Sequence, residues 1–124
     1  MDQDIPAIAE LAQKYFDALY NGDADLFAEI FHPQAALFCN HDNEFVSMTV
    51  EQYMDLVRNR SNPVDRNEER QDEVLAIIRE TPTTAVLRTR EVFLPKHFTD
   101  ELTLMKFDGE WKIIAKTWDF ELLD

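Results

Sequence analysis

The stretch Leu104-Met105-Lys106-Phe107-Asp108-Gly109-Glu110-Trp111-Lys112-Ile113-Ile114 decides how the chain is read. Asp-Gly between two apolar/polar alternating runs marks a two-residue hairpin, because that turn needs positive φ at both central positions. The strands it joins are predicted at residues 98–107 and 110–120. Upstream, residues 84–93 form a third run, joined across Pro95-Lys96, and residues 73–80 a fourth, joined across Thr81-Pro82. The C-terminal half is therefore a four-strand antiparallel meander.

The N-terminal half has a different period. Ile5, Ile8, Leu11, Ala12, Tyr15, Phe16 and Leu19 recur at spacings of three and four, which makes an amphipathic helix. Asp4 is its expected N-cap, Pro6 suits a first turn, and Asn21-Gly22 ends it. Asp23 caps a second, shorter helix through Phe27 and Phe31, which Pro33 stops. Residues 35–40 and 44–48 read as strands around the polar turn His41-Asp42-Asn43. Thr49 with Gln52 is a capping box for a third helix carrying Tyr53, Met54 and Val57. Residues 60–71 are polar, contain Pro63 and read as a surface loop. The predicted fold class is α+β: a mainly antiparallel sheet of about six strands with three helices on one face.

The 124 residues amount to one domain, 1–124. Twenty-five acidic and 12 basic residues give a net charge of −13, which excludes nucleic acid as a partner for want of a basic surface. Two glycines, Gly22 and Gly109, cannot build a phosphate cradle. Nothing approaches a membrane span or a signal peptide. The single cysteine, Cys39, excludes a disulfide within the chain and a cysteine-based zinc site, and fits a reducing, cytoplasmic setting. No two histidines share ligand spacing, so neither a metal nor any other cofactor is implied.

The run Tyr15-Phe16-Asp17-Ala18-Leu19-Tyr20-Asn21-Gly22-Asp23, then Phe31-His32-Pro33, then Asp108-Gly109-Glu110-Trp111-Lys112-Ile113-Ile114 and Lys116-Thr117 resembles the nuclear transport factor 2-like superfamily. Within it the chain resembles the bacterial branch labelled "putative lumazine-binding". The resemblance implies a cone, in which a strongly bent sheet is closed on its concave side by three helices over a pocket. It also implies dimers through the convex face. It fixes no reaction, since this fold hosts isomerases, dehydratases, hydrolases and subunits without chemistry. Steroid isomerases of the fold carry a first-helix tyrosine, a carboxylate base and an acidic donor. These positions fall at Tyr15, Cys39 and Thr103, so one of three matches, which argues against that reaction.

Strand alternation assigns the sheet faces. The Asp108-Gly109 turn sets Leu104 opposite Ile113 and Thr103 opposite Ile114. A Pro95-Lys96 loop sets Arg90 opposite Glu101 and Arg88 opposite Thr103. One face then carries Leu87, Phe93, Leu102, Leu104, Trp111, Ile113 and Ala115. The other carries Val86, Arg88, Arg90, Thr103, Met105, Ile114, Lys116 and Trp118. Since both are apolar and helices cover only one, a homodimer through Leu102, Leu104, Trp111 and Ile113 is expected. The alternative is that this face packs under the helices, and a one-residue bulge would invert the assignment.

The candidate ligand site follows from the other face. Arg88, Arg90 and Lys116 either form a cross-strand ladder with Glu101, worth about 0.2–1 kcal/mol per pair, or bind a carboxylate or aromatic small molecule. Phe38, Tyr53, Met54, Thr103 and Trp118 complete that pocket. Candidate catalytic groups are Tyr15, His32 and Asp119, the last two as an acid–base pair. Their other readings are a core aromatic, a helix-end cation and a solvated carboxylate. His41 and His97 read as solvated turn residues. Three functions stay open: a small-molecule-binding domain, a cofactor-free lyase, isomerase or hydrolase, and a non-catalytic dimer.

Overall fold

In the computed structural model, which describes residues 3–123, the elements follow the order α1 (Asp4–Asn21), α2 (Ala24–Ile30), β1 (Phe31–His41), β2 (Glu44–Thr49), α3 (Val50–Asn59), β3 (Gln71–Thr81), β4 (Thr84–Phe93), β5 (Lys96–Phe107) and β6 (Glu110–Leu122). The sheet order is β2-β1-β6-β5-β4-β3, antiparallel except for the β1–β6 pair. The sheet is open, and the three helices pack on its concave face, an α+β cone of the kind the sequence predicts.

Local chemistry accounts for the helix ends. Gly22, at φ +65°, takes the left-handed conformation after α1 and donates its N–H to Ala18. Asp23 accepts from the Leu26 N–H at the start of α2. Thr49 and Gln52 exchange reciprocal bonds at the start of α3, as a capping box requires. Asp4 departs from expectation: it is the first helical residue, and it caps nothing. Its carboxylate accepts from Lys106 (2.9 Å), Trp111 (3.1 Å) and Arg79 (2.7 Å), pinning α1 to the sheet. Lys106, then Trp111 and Arg79, hold its pKa at about 2 against the cost of burial. Pro33 does not set the end of α2, which stops at Ile30, and it lies inside β1.

The core joins the inner face of α1 (Ile8, Leu11, Tyr15, Phe16) to Phe27, Phe31 and Tyr53, and to Leu87, Leu102, Leu104 and Ile113 of the sheet. This corrects the expected dimer interface. Leu102, Leu104 and Ile113 are fully buried within the protomer and Trp111 is 7% exposed, so these four pack under the helices and are not free for a second copy. The apolar side chains of one face could cover only one partner, and the helices of the same chain took it.

Two register details explain the rest. The β4–β5 turn is Leu94-Pro95, one residue earlier than expected, so Arg88 faces Glu101 and Arg90 faces Thr99. The β5–β6 pairing holds from Phe107–Glu110 to Leu104–Ile113, then slips, so that Thr103 meets Ala115 and Leu102 meets Lys116. Ile114 is the extra residue of a β-bulge. Beyond it, Lys116 and Trp118 turn onto the helix-covered face, while Arg88, Arg90 and Thr103 stay on the opposite one. None of the described helices is long and apolar enough to cross a membrane.

Candidate functional site

A pocket of about 430 Å3 opens between the concave sheet face, α3 and the loop of residues 60–66. Its volume lies in the lower part of the usual ligand-site range of roughly 300–1,000 Å3. Leu19, Tyr53, Leu56, Phe93, Phe98 and Trp118 supply apolar walls, and Arg60, Arg66 and Lys96 also line it. Its least exposed polar lining is Glu91 (1% exposed), Asp100 (2%) and Lys116 (5%).

These three groups form one electrostatic unit. The Tyr15 hydroxyl, wholly buried behind them, donates to Asp100 Oδ2 at 2.5 Å. Lys116 Nζ lies 4.0 Å from the same oxygen and donates to the Tyr53 hydroxyl at 3.4 Å. The ammonium sits among the rings of Tyr15, Tyr53 and Trp118, with centroids 5.0–5.3 Å away, an arrangement that favours a cation. Glu91 on β4 and Asp100 on β5 are diagonal neighbours across the strand pair, and both line the pocket. Glu91 Oε2 and Asp100 Oδ1 have no protein donor. One proton held between the two carboxyls satisfies both, since two carboxylates in one site do not both ionise.

The protonation preferences follow from this geometry. Burial, then the charge of Asp100, pushes the Glu91 carboxyl well above the usual carboxylate range. Burial and the neighbouring Asp100 and Glu91 also push the Tyr15 hydroxyl well above its ordinary value. Burial opposes the charge on Lys116, but Tyr53, Asp100 and Glu91 outweigh it and raise its pKa. The unit therefore holds a shareable proton, a carboxylate and an ammonium, shielded from water at the bottom of an apolar pocket.

Of the residues singled out from sequence, Tyr53, Lys116 and Trp118 line this pocket, and Tyr15 buttresses Asp100. The others lie elsewhere. Arg88 and Arg90 project from the opposite face, paired with Glu101 (2.9 Å) and Glu73 (3.4 Å), and Thr103 is exposed beside them. Their outward parity survives the shifted turn, because the shift is by two in pairing. Phe38 stacks on Phe45 outside the pocket, and Met54 is a core residue. His32 stacks on Phe107, and its Nδ1 accepts from the Gln34 N–H. It does not meet Asp119. That carboxylate instead accepts from His41 Nδ1 at 2.7 Å, which holds its pKa below the ordinary value, and Phe120 stacks on the same imidazole. His41 is thus engaged, not merely solvated.

The residues missed are Glu91 and Asp100. The isomerase comparison placed the acidic donor at Thr103, three residues beyond the acid that does contact Tyr15. Cys39, at the base position of that comparison, has its thiol pKa raised by burial and by Asp119, and offers no carboxylate.

The match to known proteins covers nearly the whole chain. Residues 3–119 match the model of the family described as "Putative lumazine-binding". A relative from Cladobotryum sp, named "Aldolase FrzH", is 29% identical over 112 residues, covering 89% of this chain and 86% of the relative. An NTF2-like protein of unknown function from Shewanella baltica OS155 superposes with a TM-score of 0.85 at 24% identity, covering 96% of this chain and 94% of that one. Another, from Methylobacillus flagellatus KT, gives a TM-score of 0.83 at 23% identity, with 98% and 94% covered. The cone of helices on a bent sheet is the fold of these NTF2-like structures, and the match over residues 3–119 leads to one conclusion: the chain belongs to the "Putative lumazine-binding" family.

Proposed function

We propose that this protein binds a small carbonyl compound and catalyses acid–base chemistry on it, forming or consuming an enolate. The observation that carries this reading is the buried Glu91–Asp100–Lys116 unit lining an apolar pocket. A carbon next to a carbonyl loses its proton to a positioned base, and a group of this kind contributes roughly 10²–10⁴-fold. The carboxylate of Asp100 takes that role. The electron pair of the broken C–H bond moves to the carbonyl oxygen, where the Lys116 ammonium and the Tyr53 hydroxyl meet the developing charge. The proton on the Glu91–Asp100 pair is then available for return to carbon or oxygen. Tyr15 is a positioning residue, because it reaches only Asp100.

The same enolate can add to a second carbonyl compound or be released from such an adduct, and this fits the name aldolase borne by the Cladobotryum relative. Lys116 is unsuited to an imine route, since an imine needs the neutral amine and its surroundings favour the ammonium. Binding in the pocket is common to this reading and to a non-catalytic one. Proton exchange separates them. In heavy water, 2-tetralone and related aryl ketones should exchange their α-protons faster with the protein than with buffer, and Asp100→Asn should lower that rate about a hundredfold. Borohydride added to the mixture should attach no ketone to the chain. No acceleration by the wild type, or equal rates in Asp100→Asn, refutes the proposal.

A further inference from the structure

Twelve lysines and arginines face 25 acidic residues in this chain. Among the described residues, ten of the twelve have a carboxylate oxygen within 4.0 Å. The two that do not are Arg60 and Lys96, and both line the pocket. Each is held by an aromatic face: the Arg60 guanidinium lies 5.6 Å from the Tyr53 ring centre, and Lys96 Nζ lies 4.3 Å from that of Phe120. An aromatic face positions a cation without neutralising it or using its N–H donors. Among the described residues, the acids lining the pocket are Glu91 and Asp100; both are buried, and Asp100 is engaged with Tyr15 and Lys116. Among the described residues, four cations and two carboxyls therefore line a cavity in a protein of net charge −13. Arg60 and Lys96 are half-buried, unlike the buried Lys116, and the lower local dielectric strengthens their attraction for an anion.

We infer that the pocket takes a small organic acid, whose carboxylate is bound by Arg60 and Lys96 while its apolar, carbonyl-bearing body lies against Phe93, Phe98 and Trp118. This rests on the proposed function for the carbonyl and names the substrate class. A planar guanidinium fits a carboxylate through two parallel N–H donors, and Lys96 adds a point charge. The anion is drawn to a locally basic opening in an acidic surface, which gives selectivity between acids and neutral analogues of one shape. Arg66 is not part of the assignment, because Glu68 neutralises it and its Nε and Nη1 donors go to Glu68 and Ser61.

Two probes of one shape test the assignment: naphthalene-2-carboxylate and neutral 2-naphthamide. Binding is read from the Trp118 indole N–H resonance in the wild type, Arg60→Gln, Lys96→Met and Lys116→Met. The wild type should bind the carboxylate at least about tenfold more tightly than the amide at low salt, and the preference should shrink as salt rises. Arg60→Gln and Lys96→Met should each cut that preference severalfold, while continued amide binding reports an intact pocket. Equal affinity for the two probes, no binding of either at millimolar concentration, or a preference that survives both substitutions and disappears only in Lys116→Met overturns the inference. The ratio of affinities involves no turnover, so it fails or stands separately from proton exchange in Asp100→Asn.

Discussion

Replacing Glu91 by Gln should flatten the pH dependence of stability and leave the protein more stable in mildly alkaline solution. The Glu91 carboxyl is 1% exposed, and burial followed by the charge of Asp100 raises its pKa well above 4.5. A raised carboxyl pKa means that the folded protein keeps a proton which the unfolded chain releases. The stabilisation linked to that proton is complete below pH 4.5 and declines as pH rises toward the folded value. The slope is set by one proton: about 1.4 kcal/mol per pH unit across that window. The proton is held on Glu91, beside the buried carboxyl of Asp100. Gln occupies the same volume, donates to Asp100 without titrating, and removes the slope. Urea unfolding of both proteins, followed by tryptophan fluorescence from about pH 5 to about pH 8, gives the difference in unfolding free energy at each pH. That difference should move in favour of Glu91→Gln as pH rises. Parallel curves for the two proteins would refute the proton on Glu91, and with it the electrostatic unit on which the proposed chemistry stands.

Three further comparisons probe the fold that positions this unit. Leu102→Ala should cost about 2–5 kcal/mol because Leu102 is fully buried, whereas Met105→Ala, from the 36% exposed side chain on the opposite face, should cost less than about 1 kcal/mol; the reverse order in urea unfolding would restore the other face assignment. Gly22→Ala should be more destabilising than Gly109→Ala. Both glycines have positive φ, costing an alanine about 1 kcal/mol, but a Cβ at Gly22 would also come within 2.1 Å of the Asn62 amide, while one at Gly109 meets nothing within 4 Å. Equal losses in thermal unfolding would show that the Gly22–Asn62 contact is not tight. Asp4→Asn should weaken the protein above pH 3.8, and the wild type's advantage should fade as pH falls toward the folded value of about 2. Acid titrations of the two proteins by circular dichroism that differ by a constant offset would contradict this.

What could be read from the sequence was local. Asp108-Gly109, Thr49 with Gln52, and Asp23 act through bonds within a few residues, so their types specify their conformations directly. Paired strand registers are less secure, because one extra residue reverses every side chain beyond it. Ile114 is such a residue, in an unbroken Ile113-Ile114-Ala115 run that carries no bulge signal. The buried acids were within reach. Leu87, Phe93, Leu102 and Leu104 define one face, and alternation puts Thr89, Glu91 and Asp100 on it too. Tracking only the large apolar positions passed over them. Charged side chains on an apolar face are rare unless paired, so their parity alone marks a site. The partners, Tyr15 on α1 and Lys116 on β6, are remote in sequence and could be joined to them only by the folded chain.

The bulge also explains how one sheet face serves two purposes. From Glu110 to Ile113, β6 turns Trp111 and Ile113 toward the helices, where Leu104 and α1 make a dry core. Had alternation continued without interruption, the next inward residues would have been Ala115 and Thr117. Lys116 and Trp118 would then have faced outward, like Arg88 and Arg90. Inserting Ile114 makes the interval between inward side chains three residues instead of two, and sets Lys116 opposite Leu102 and Trp118 opposite Asp100. The ammonium is thereby carried to the two buried carboxyls, whose negative charge would cost several kcal/mol to keep without a nearby cation. Bulges commonly re-aim side chains beside functional sites. Here a single inserted position divides the concave face into an apolar half that holds the helices and a charged half that lines the pocket.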